Sequence, residues 1–338
     1  MKHELHEDNA NYTKEIAFRA FLCRAFLLLR RAGVAIVARK RKVRMKTTLR
    51  MMAGAMTLGL AGAVYAASAT TTDPRAASKQ TPWENSLGMR FVPVKDTEVL
   101  FCIWLTRVQD FTTFVRITGH DAKAGMYSLT PDGIKQGVNT WDSPGFQQGL
   151  THPVSGVNWE DAQAFCKWLT KQERDAGRLP SGYEYRLPKD AEWSAAVGLP
   201  SEFGKTPKEK HRRIRGIYPW GMEWPPPIGA GNFSGTESKV DMPADREIIR
   251  NYTDPHPRTS TVGSYVANPL GLYDMSGNLW EWCEDIFTPN EPYRVLRGGA
   301  WNTHDGDDLL SSSRNHVMPG IRAAGNGFRC VLAPAASP

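Results

Sequence analysis

The chain has 338 residues, enough for one large domain or two ordinary ones, and its composition is not that of a disordered protein. Its formal net charge is +7, but residues 1–44 hold 11 basic and 4 acidic side chains, which leaves 31 of each sign from residue 45 onward. A nucleic-acid footprint requires the basic excess on the folded domain itself, so nucleic acid is excluded as an expected partner.

Residues 45–69 have the pattern of a secretory signal peptide. A basic start, Met45–Arg50, precedes a short apolar run, Met51–Ala63, and small residues suitable for cleavage follow. The run is too short for a membrane span, so we predict a secreted or periplasmic mature protein without one. Because a signal peptide normally begins a chain, residues 1–44 are interpreted as a mis-assigned or disordered basic extension. A basic membrane-surface helix is the alternative.

The segment Thr70–Thr81 is rich in Thr, Ser, Ala and Lys and is predicted to be a linker. The folded domain then occupies residues 82–335, without an internal repeat or domain break. Short strands are predicted at Met89–Val94 and Val99–Trp104, where β-branched and aromatic residues cluster.

Three helices are predicted from apolar spacing and capping residues. They begin at Val108, at the N-cap Asn158 and after Pro188, and they end at Gly119, near Gly177 and at Gly198. Beyond Gly198 the periodicity fades into loops rich in Gly, Pro and Trp.

The segment Gly271–Asp285 has the most chemical character. Asp274 and Glu281 bracket a Gly-Asn turn, an arrangement that can direct several oxygens at one hard cation such as calcium. Trp280 and Trp282 flank Glu281 with the two-residue period of a strand and are predicted to bury a large area.

Four cysteines follow the signal segment: Cys102, Cys166, Cys283 and Cys330. Export predicts an oxidising compartment in which they can pair. Four cysteines allow three connectivities, and their spacing does not choose among them.

Seven motifs occur in order along the chain: Asn85–Val94, His152–Ala162, Tyr185–Trp193, Tyr218–Gly221, Gly271–Asp285, Tyr293–Trp301 and Asn326–Cys330. Together they resemble the sulfatase-modifying factor domain of the formylglycine-generating enzyme family over about Trp83–Leu332. The resemblance implies an α+β, C-type-lectin-like fold with little regular secondary structure.

The resemblance also implies two structural calcium sites and a disulfide bond. One site matches Asp274, Gly277, Leu279 and Glu281, and the other matches Asn232, Phe233, Asp254 and His256. The alternative is that the polar residues only cap turns. The disulfide falls on Cys166 and Cys330, which would contribute about 4 to 5 kcal/mol. The other two cysteines either pair with each other or remain buried thiols.

Enzymes of this family bind copper through two cysteines and oxidise a sulfatase cysteine to an aldehyde. Here the matching positions hold Thr303 and Asp308, and Ala300 replaces the serine after the glycine pair. Because soft thiolates suit Cu(I), we expect neither copper nor copper-dependent formylglycine formation. Trp280 matches a tryptophan that lines the family's active site.

The surrounding residues suggest other binding chemistry. His304 and Asp305 belong to an Asp-rich loop that is either a metal or ligand site or a solvated turn. Arg314, together with Arg297, is a candidate for binding an anion. A lectin-like surface around Trp280, Trp301 and Asp305 is a further option, whereas His152 is expected to make a structural hydrogen bond.

We therefore predict a binding or accessory protein for an unknown protein, peptide or glycan ligand, or a catalyst of a divergent reaction. The alternative is a formylglycine-generating oxidase that acts on sulfatases.

Overall fold

The computed structural model describes residues 73–240 and 242–335. The predicted basic extension and signal peptide lie outside the described residues. In the described part of the predicted linker, Pro74–Ala76 form a short 3-10 helix and Lys79 Nζ donates to the Pro269 carbonyl at 2.9 Å. This part of the linker therefore contacts the domain instead of extending away from it. No helix within 73–240 and 242–335 is both long and apolar enough to cross a bilayer.

The three predicted helices are confirmed. They are α1 (Val108–Thr118), α2 (Trp159–Asp175) and α3 (Asp190–Val197). Asn158 caps α2 by accepting from the Asp161 amide at 2.8 Å. Gly119 and Gly198 end α1 and α3 in the left-handed region, where glycine carries no steric cost.

Two further helices and a second 3-10 turn are single-turn elements in the loops. The helices are α4 (Pro207–Lys210) and α5 (Gly306–Leu309), and the 3-10 turn is Thr236–Val240. The first of these helices lies beyond Gly198, in a part of the chain that the sequence predicts to consist of loops.

The strands are short. In chain order they are β1 (Trp83–Glu84), β2 (Arg90–Pro93), β3 (Leu100–Cys102), β4 (Met126–Thr130), β5 (Gly133–Asn139), β6 (Tyr183–Arg186), β7 (Trp280–Ile286), β8 (Arg294–Arg297), β9 (Asn315–Val317), β10 (Asn326–Gly327) and β11 (Val331–Pro334). The predicted strands near residues 89–94 and 99–104 are confirmed as β2 and β3.

Two sheets build the domain, and one hairpin lies beside them. The five-stranded sheet has the order β1-β2-β3-β11-β6, and the four-stranded sheet has the order β10-β7-β8-β9. Among the strands of the described residues, only β10 and β7 pair in parallel, and every other neighbouring pair is antiparallel. The hairpin of β4 and β5 was not predicted, because β5 is mostly exposed and lacks the alternation of a half-buried strand.

An aromatic core joins the helices to the sheets. Phe111 and Phe114 of α1 contact Phe165 of α2, and Phe165 lies 5.4 Å from Phe328, ring centroid to ring centroid. This packing fixes α2 against the segment between β10 and β11. The fold is α+β with little regular secondary structure, as predicted, and agrees with a C-type-lectin-like architecture.

Candidate functional site

The turn before β7 packs directly on Asn232. Asp274, Gly277 and Asn278 all have positive φ, and a Cβ on Gly277 would lie 2.3 Å from the Asn232 carbonyl oxygen. Only glycine fits this approach. The Asn278 amide donates to the same carbonyl at 3.0 Å. The fold thus brings the two predicted calcium motifs together.

In the first motif, Glu281 is bound by a residue that the sequence did not indicate. Arg329 donates to both carboxylate oxygens, with its Nε and Nη2 each 2.6 Å away, and both side chains are fully buried. Trp193 Nε1 also donates to Glu281, at 3.2 Å. Any cation at Glu281 would therefore share this carboxylate with a guanidinium.

Asp274 fits a cation better. Its Oδ2 accepts from the Gly263 amide at 2.8 Å, while its Oδ1 is buried and has no hydrogen-bond partner among the described residues. Burial raises the pKa of Asp274 to about 6. A buried oxygen without a donor is costly, and a hard cation ligated also by the Gly277 and Leu279 carbonyls would satisfy it.

The second motif also contains a buried oxygen that has no hydrogen-bond donor in the described part of the chain. Asn232 Nδ2 donates to the Arg258 carbonyl at 2.7 Å, but the buried Oδ1 lacks a partner within the described ranges. Asp254 accepts from the Phe233 amide at 3.2 Å and from the His256 amide at 2.8 Å. These oxygens also fit a hard cation.

Glu237 is a further residue of this motif that the sequence did not suggest. Its Oε2 accepts from the Asp254 amide at 3.1 Å. Burial, with the negative charge of Glu237 adding to it, raises the pKa of Asp254 to about 7. Among the described residues there is no cluster of three or more His, Cys, Asp or Glu side chains suited to a metal ion. Both candidate sites therefore depend on amide and carbonyl oxygens as well as carboxylates.

Thr303 and Asp308, the residues that the resemblance matches to the family's copper positions, make internal contacts. Thr303 Oγ1 accepts from the amide of Ala300, which is fully buried, at 3.0 Å. Asp308 lies 2.5 Å from Arg212 Nη2 in an ion pair. A hydroxyl and a paired carboxylate do not form the soft site that Cu(I) prefers, so the residues present do not fit copper.

The aromatic candidates are inside the protein. Trp301 is fully buried and its Nε1 donates to the Ala324 carbonyl at 3.1 Å, and Trp280 is buried as well. The hypothesis of a lectin-like surface built on these rings is therefore wrong, because neither indole presents a face to solvent. Asp305 is exposed and caps α5 by accepting from the Asp307 amide at 2.9 Å.

Arg314 and Arg297 are also misassigned as anion receptors. Both side chains are buried against Asp190, at 2.9 Å and 2.5 Å, and Arg314 Nη1 reaches Glu202 at 2.5 Å. The protein already supplies the anions for these two guanidinium groups. They act as core ion pairs.

The four cysteines within the described residues are buried and reduced in the structure. The sulfurs of Cys166 and Cys330 are 3.5 Å apart, adjacent but beyond the ~2 Å of a bond. The fold therefore brings the predicted pair together, and the disulfide itself stays a prediction. Cys102 and Cys283 are buried thiols, one of the two alternatives considered for them.

Two clefts lie near the candidate residues. One, of about 860 Å³, is lined by both His152 and His256, and the His152 Nδ1 makes the expected structural hydrogen bond, to Thr259 Oγ1 at 3.1 Å. The other, of about 690 Å³, lies between residues 245–250 and residues 304–306, with Lys239 beside them. It contains the predicted candidates His304 and Asp305.

Arg246 is the functional candidate that sequence reasoning missed in this second cleft. Its Nη2 donates to the Asn302 carbonyl at 2.7 Å, inside the turn between Ala300 and Thr303. Between Asp245 and Glu247 the sequence resembles an ordinary solvated charged turn, so no local signal distinguishes this arginine.

Comparison with known proteins agrees with the motifs. Residues 35–334 match the family described as the sulfatase-modifying factor enzyme 1-like domain. A protein named formylglycine-generating enzyme from Streptomyces coelicolor is 29% identical over 265 residues, 65% of this chain and 73% of that protein. A Mus musculus protein named inactive C-alpha-formylglycine-generating enzyme 2 is 30% identical over 198 residues, 55% of this chain and 51% of that protein.

A third relative, named serine/threonine-protein kinase pkn1, comes from Chlamydia pneumoniae. It is 30% identical over 205 residues, which are 55% of this chain. The match spans only 24% of that relative's own length.

Proposed function

The chain belongs to the sulfatase-modifying factor enzyme 1-like domain family, and from this premise we propose that it is an exported protein without copper-dependent oxidase activity. It acts as a binding or accessory module for a protein, peptide or glycan, or it catalyses a divergent reaction.

The contacts of Thr303 and Asp308 carry this proposal. At the positions where the family places its two thiolates, one side chain closes a turn with Ala300 and the other is paired with Arg212. Cu(I) in proteins selects sulfur ligands, and neither oxygen group replaces them. The name of the mouse relative describes that protein as inactive, which is in line with loss of the oxidase reaction in this family.

We further propose that calcium has a structural role at the two motifs around Asp274 and Asn232. The buried oxygens without donors in both motifs support this assignment. In an oxidising compartment the adjacent Cys166 and Cys330 sulfurs would join α2 to the residue preceding β11. Calcium and the disulfide would then hold the loops around the cleft in place.

An aldehyde assay tests the proposal. The purified protein is incubated in air with copper and a peptide containing Cys-x-Pro-x-Arg, and the peptide is analysed by mass spectrometry and by reaction with an aldehyde-specific probe. We expect no product above a blank without enzyme. The Streptomyces coelicolor relative, by its name a formylglycine-generating enzyme, serves as the positive control.

The alternative function is formylglycine generation, which the identity to that relative favours. Aldehyde formation that requires both copper and this protein would establish it and refute our proposal. Elemental analysis gives a second readout: calcium without copper is expected in the purified protein.

A further inference from the structure

We propose that the cleft between residues 245–250 and 304–306 is an oxyanion-binding site in which Arg246 receives a carboxylate, sulfate or phosphate group of the ligand. This inference rests on the proposed function, because the cleft adjoins the loop that holds the family's catalytic positions. It names the ligand chemistry that the binding module would recognise.

Arg246 is held in place but is not neutralised. It is half-buried, and its Nη2 donates to the Asn302 carbonyl at 2.7 Å. Its Nε is buried without an acceptor, and throughout 73–240 and 242–335 no carboxylate lies within ion-pair distance of its guanidinium. Burial lowers the pKa of Arg246, yet an arginine keeps its charge at neutral pH. The Nη1 of this half-buried cation is neither buried nor hydrogen-bonded within the described residues, so it is the donor available to an incoming anion.

The other charged side chains of the cleft are more exposed to solvent than Arg246. Glu247 is 84% exposed on its side chain and pairs with His304, Nε2 to Oε2, at 3.3 Å. Two further cations, Lys239 and Arg250, and two further acids, Asp245 and Asp305, also line the cleft and are exposed. Exposed charges are screened by water and salt, whereas the partly buried guanidinium is screened much less. The wall of the cleft therefore favours negative charge although its rim is mixed.

Backbone hydrogen bonds hold this wall of the cleft against the loop that contains Asn302 and Thr303. The Ile249 amide donates to the Ser234 carbonyl at 2.8 Å, and the Ser234 amide donates to the Thr303 carbonyl at 3.0 Å. The segment that carries Arg246 is thereby tied to the turn that contains Asn302. A guanidinium on a braced segment loses little freedom when a ligand binds.

The size and geometry of the cleft indicate a small or terminal group. A volume of about 690 Å³ suits a small molecule or the end of a longer one, not a folded domain. The planar fork of a guanidinium matches the paired oxygens of a carboxylate or a tetrahedral oxyanion. The family's substrate motif, Cys-x-Pro-x-Arg, carries a cation, whose charge is opposite to that of the group that Arg246 would bind.

Nuclear magnetic resonance of the arginine Nε–H groups tests the site. The purified protein, labelled with nitrogen-15, is titrated separately with sodium acetate, sulfate and phosphate, with sodium chloride holding the ionic strength constant. Arg246→Gln identifies the Arg246 signal by its disappearance. We expect this signal to shift and saturate with at least one anion, and the comparison of acetate with the tetrahedral ions tells which acid group the site prefers.

Variants separate specific binding from bulk effects of salt. Saturable binding, followed through the remaining signals, should weaken about tenfold or more in Arg246→Gln, as expected for loss of a charge-assisted bond. Arg246→Lys keeps the charge without the fork and should bind carboxylate less tightly than the wild type. Arg116→Gln, which removes an exposed arginine of α1, is the matched control and should bind as the wild type does.

A linear shift with all anions, or equal binding by Arg246→Gln and the wild type with both folded by circular dichroism, would overturn the inference. That outcome leaves the proposed function standing, because the aldehyde assay measures the peptide and not the anion. Conversely, aldehyde formation together with saturable anion binding would refute the proposed function while the oxyanion site remained.

Discussion

Arg329 and Glu281 form an ion pair with no solvent contact. The guanidinium binds both carboxylate oxygens at 2.6 Å and also donates to the Tyr273 and Asp274 carbonyls, at 2.9 and 3.1 Å. One arginine after β10 thus joins β7 to the turn that leads into it. The motif that contains Glu281 is consequently held by a salt bridge whether or not calcium is bound.

Removing one partner of this ion pair should destabilise the protein strongly. We expect Arg329→Met to lower the free energy of unfolding in urea by about 3 to 5 kcal/mol, because it leaves Glu281 buried and unpaired. Arg90→Gln breaks the half-exposed pair with Glu84 and should cost less than about 1 kcal/mol. Equal losses of stability in the two variants would show that burial does not determine how much an ion pair contributes to stability.

Calcium should stabilise the protein. At a concentration of one hundred times its dissociation constant, one bound ion adds about 2.7 kcal/mol to the free energy of unfolding. Thermal unfolding with calcium, with magnesium and with a chelator measures the effect. Asp274→Asn, which keeps the size of the side chain, should abolish the increment of the first site, keep that of the second, and leave the chelated protein folded. An unchanged calcium response in that variant would argue against the first site.

The pH dependence of stability follows from the raised pKa values of Asp254 and Asp274. Asp254 titrates at about 7 and Asp274 at about 6 in the folded chain, because burial disfavours their charged forms. An aspartate in the unfolded chain has a pKa of about 4. Between about pH 4 and 7 the chelated folded state therefore binds more protons than the unfolded state, and it loses stability as the pH rises. Calcium binds the ionised form, so its stabilising increment should grow over the same window. Unfolding curves at several pH values, with and without calcium, check both signs.

The cysteines should behave as one pair and two inert thiols. Oxidation should join Cys166 to Cys330, and the closed loop should then add about 5 kcal/mol by chain entropy. Cys102 and Cys283 should resist alkylation until the protein unfolds, because burial raises the pKa of both thiols, that of Cys102 to about 12. Peptide mapping after alkylation in native and denaturing conditions identifies each class. Cys166→Ser should remove the dependence of stability on reductant.

The N-cap of α2 offers a local test. Asn158→Ala should cost about 1 kcal/mol of stability, because the Asp161 amide loses its side-chain acceptor inside the protein. Thr206→Ala removes the equivalent cap from the single exposed turn of α4 and should cost less. Equal losses would show that the cap of α2 is not specially coupled to the core.

Local signals in the sequence predicted the local structure well. The cap at Asn158 and the terminal glycines Gly119 and Gly198 fixed three helices, since capping depends on neighbours a few residues away. The hairpin at β4 and β5 was missed because its second strand is solvated and interrupted by Gly137. Periodicity carries no information where neither face is buried.

Long-range charge pairing could not be derived in this way. Arg314 and Arg297 resembled anion receptors because Asp190, over a hundred residues earlier, was not visible as their partner. Arg246 was missed for the converse reason: its acidic sequence neighbours suggested compensation, while the fold turns them toward solvent. The meaning of a charged side chain depends on which distant groups the topology places beside it.

The position of β11 in the five-stranded sheet has a consequence for biosynthesis. Val331–Pro334 lies between β3 and β6, so the two halves of that sheet are bridged by a strand that follows both of them at a distance in the described chain. During synthesis, β3 and β6 expose edges that wait for a partner more than a hundred residues downstream of each. The sheet therefore cannot be completed until Val331–Pro334 has been synthesised, and until then the edges of β3 and β6 are open to pairing with other chains.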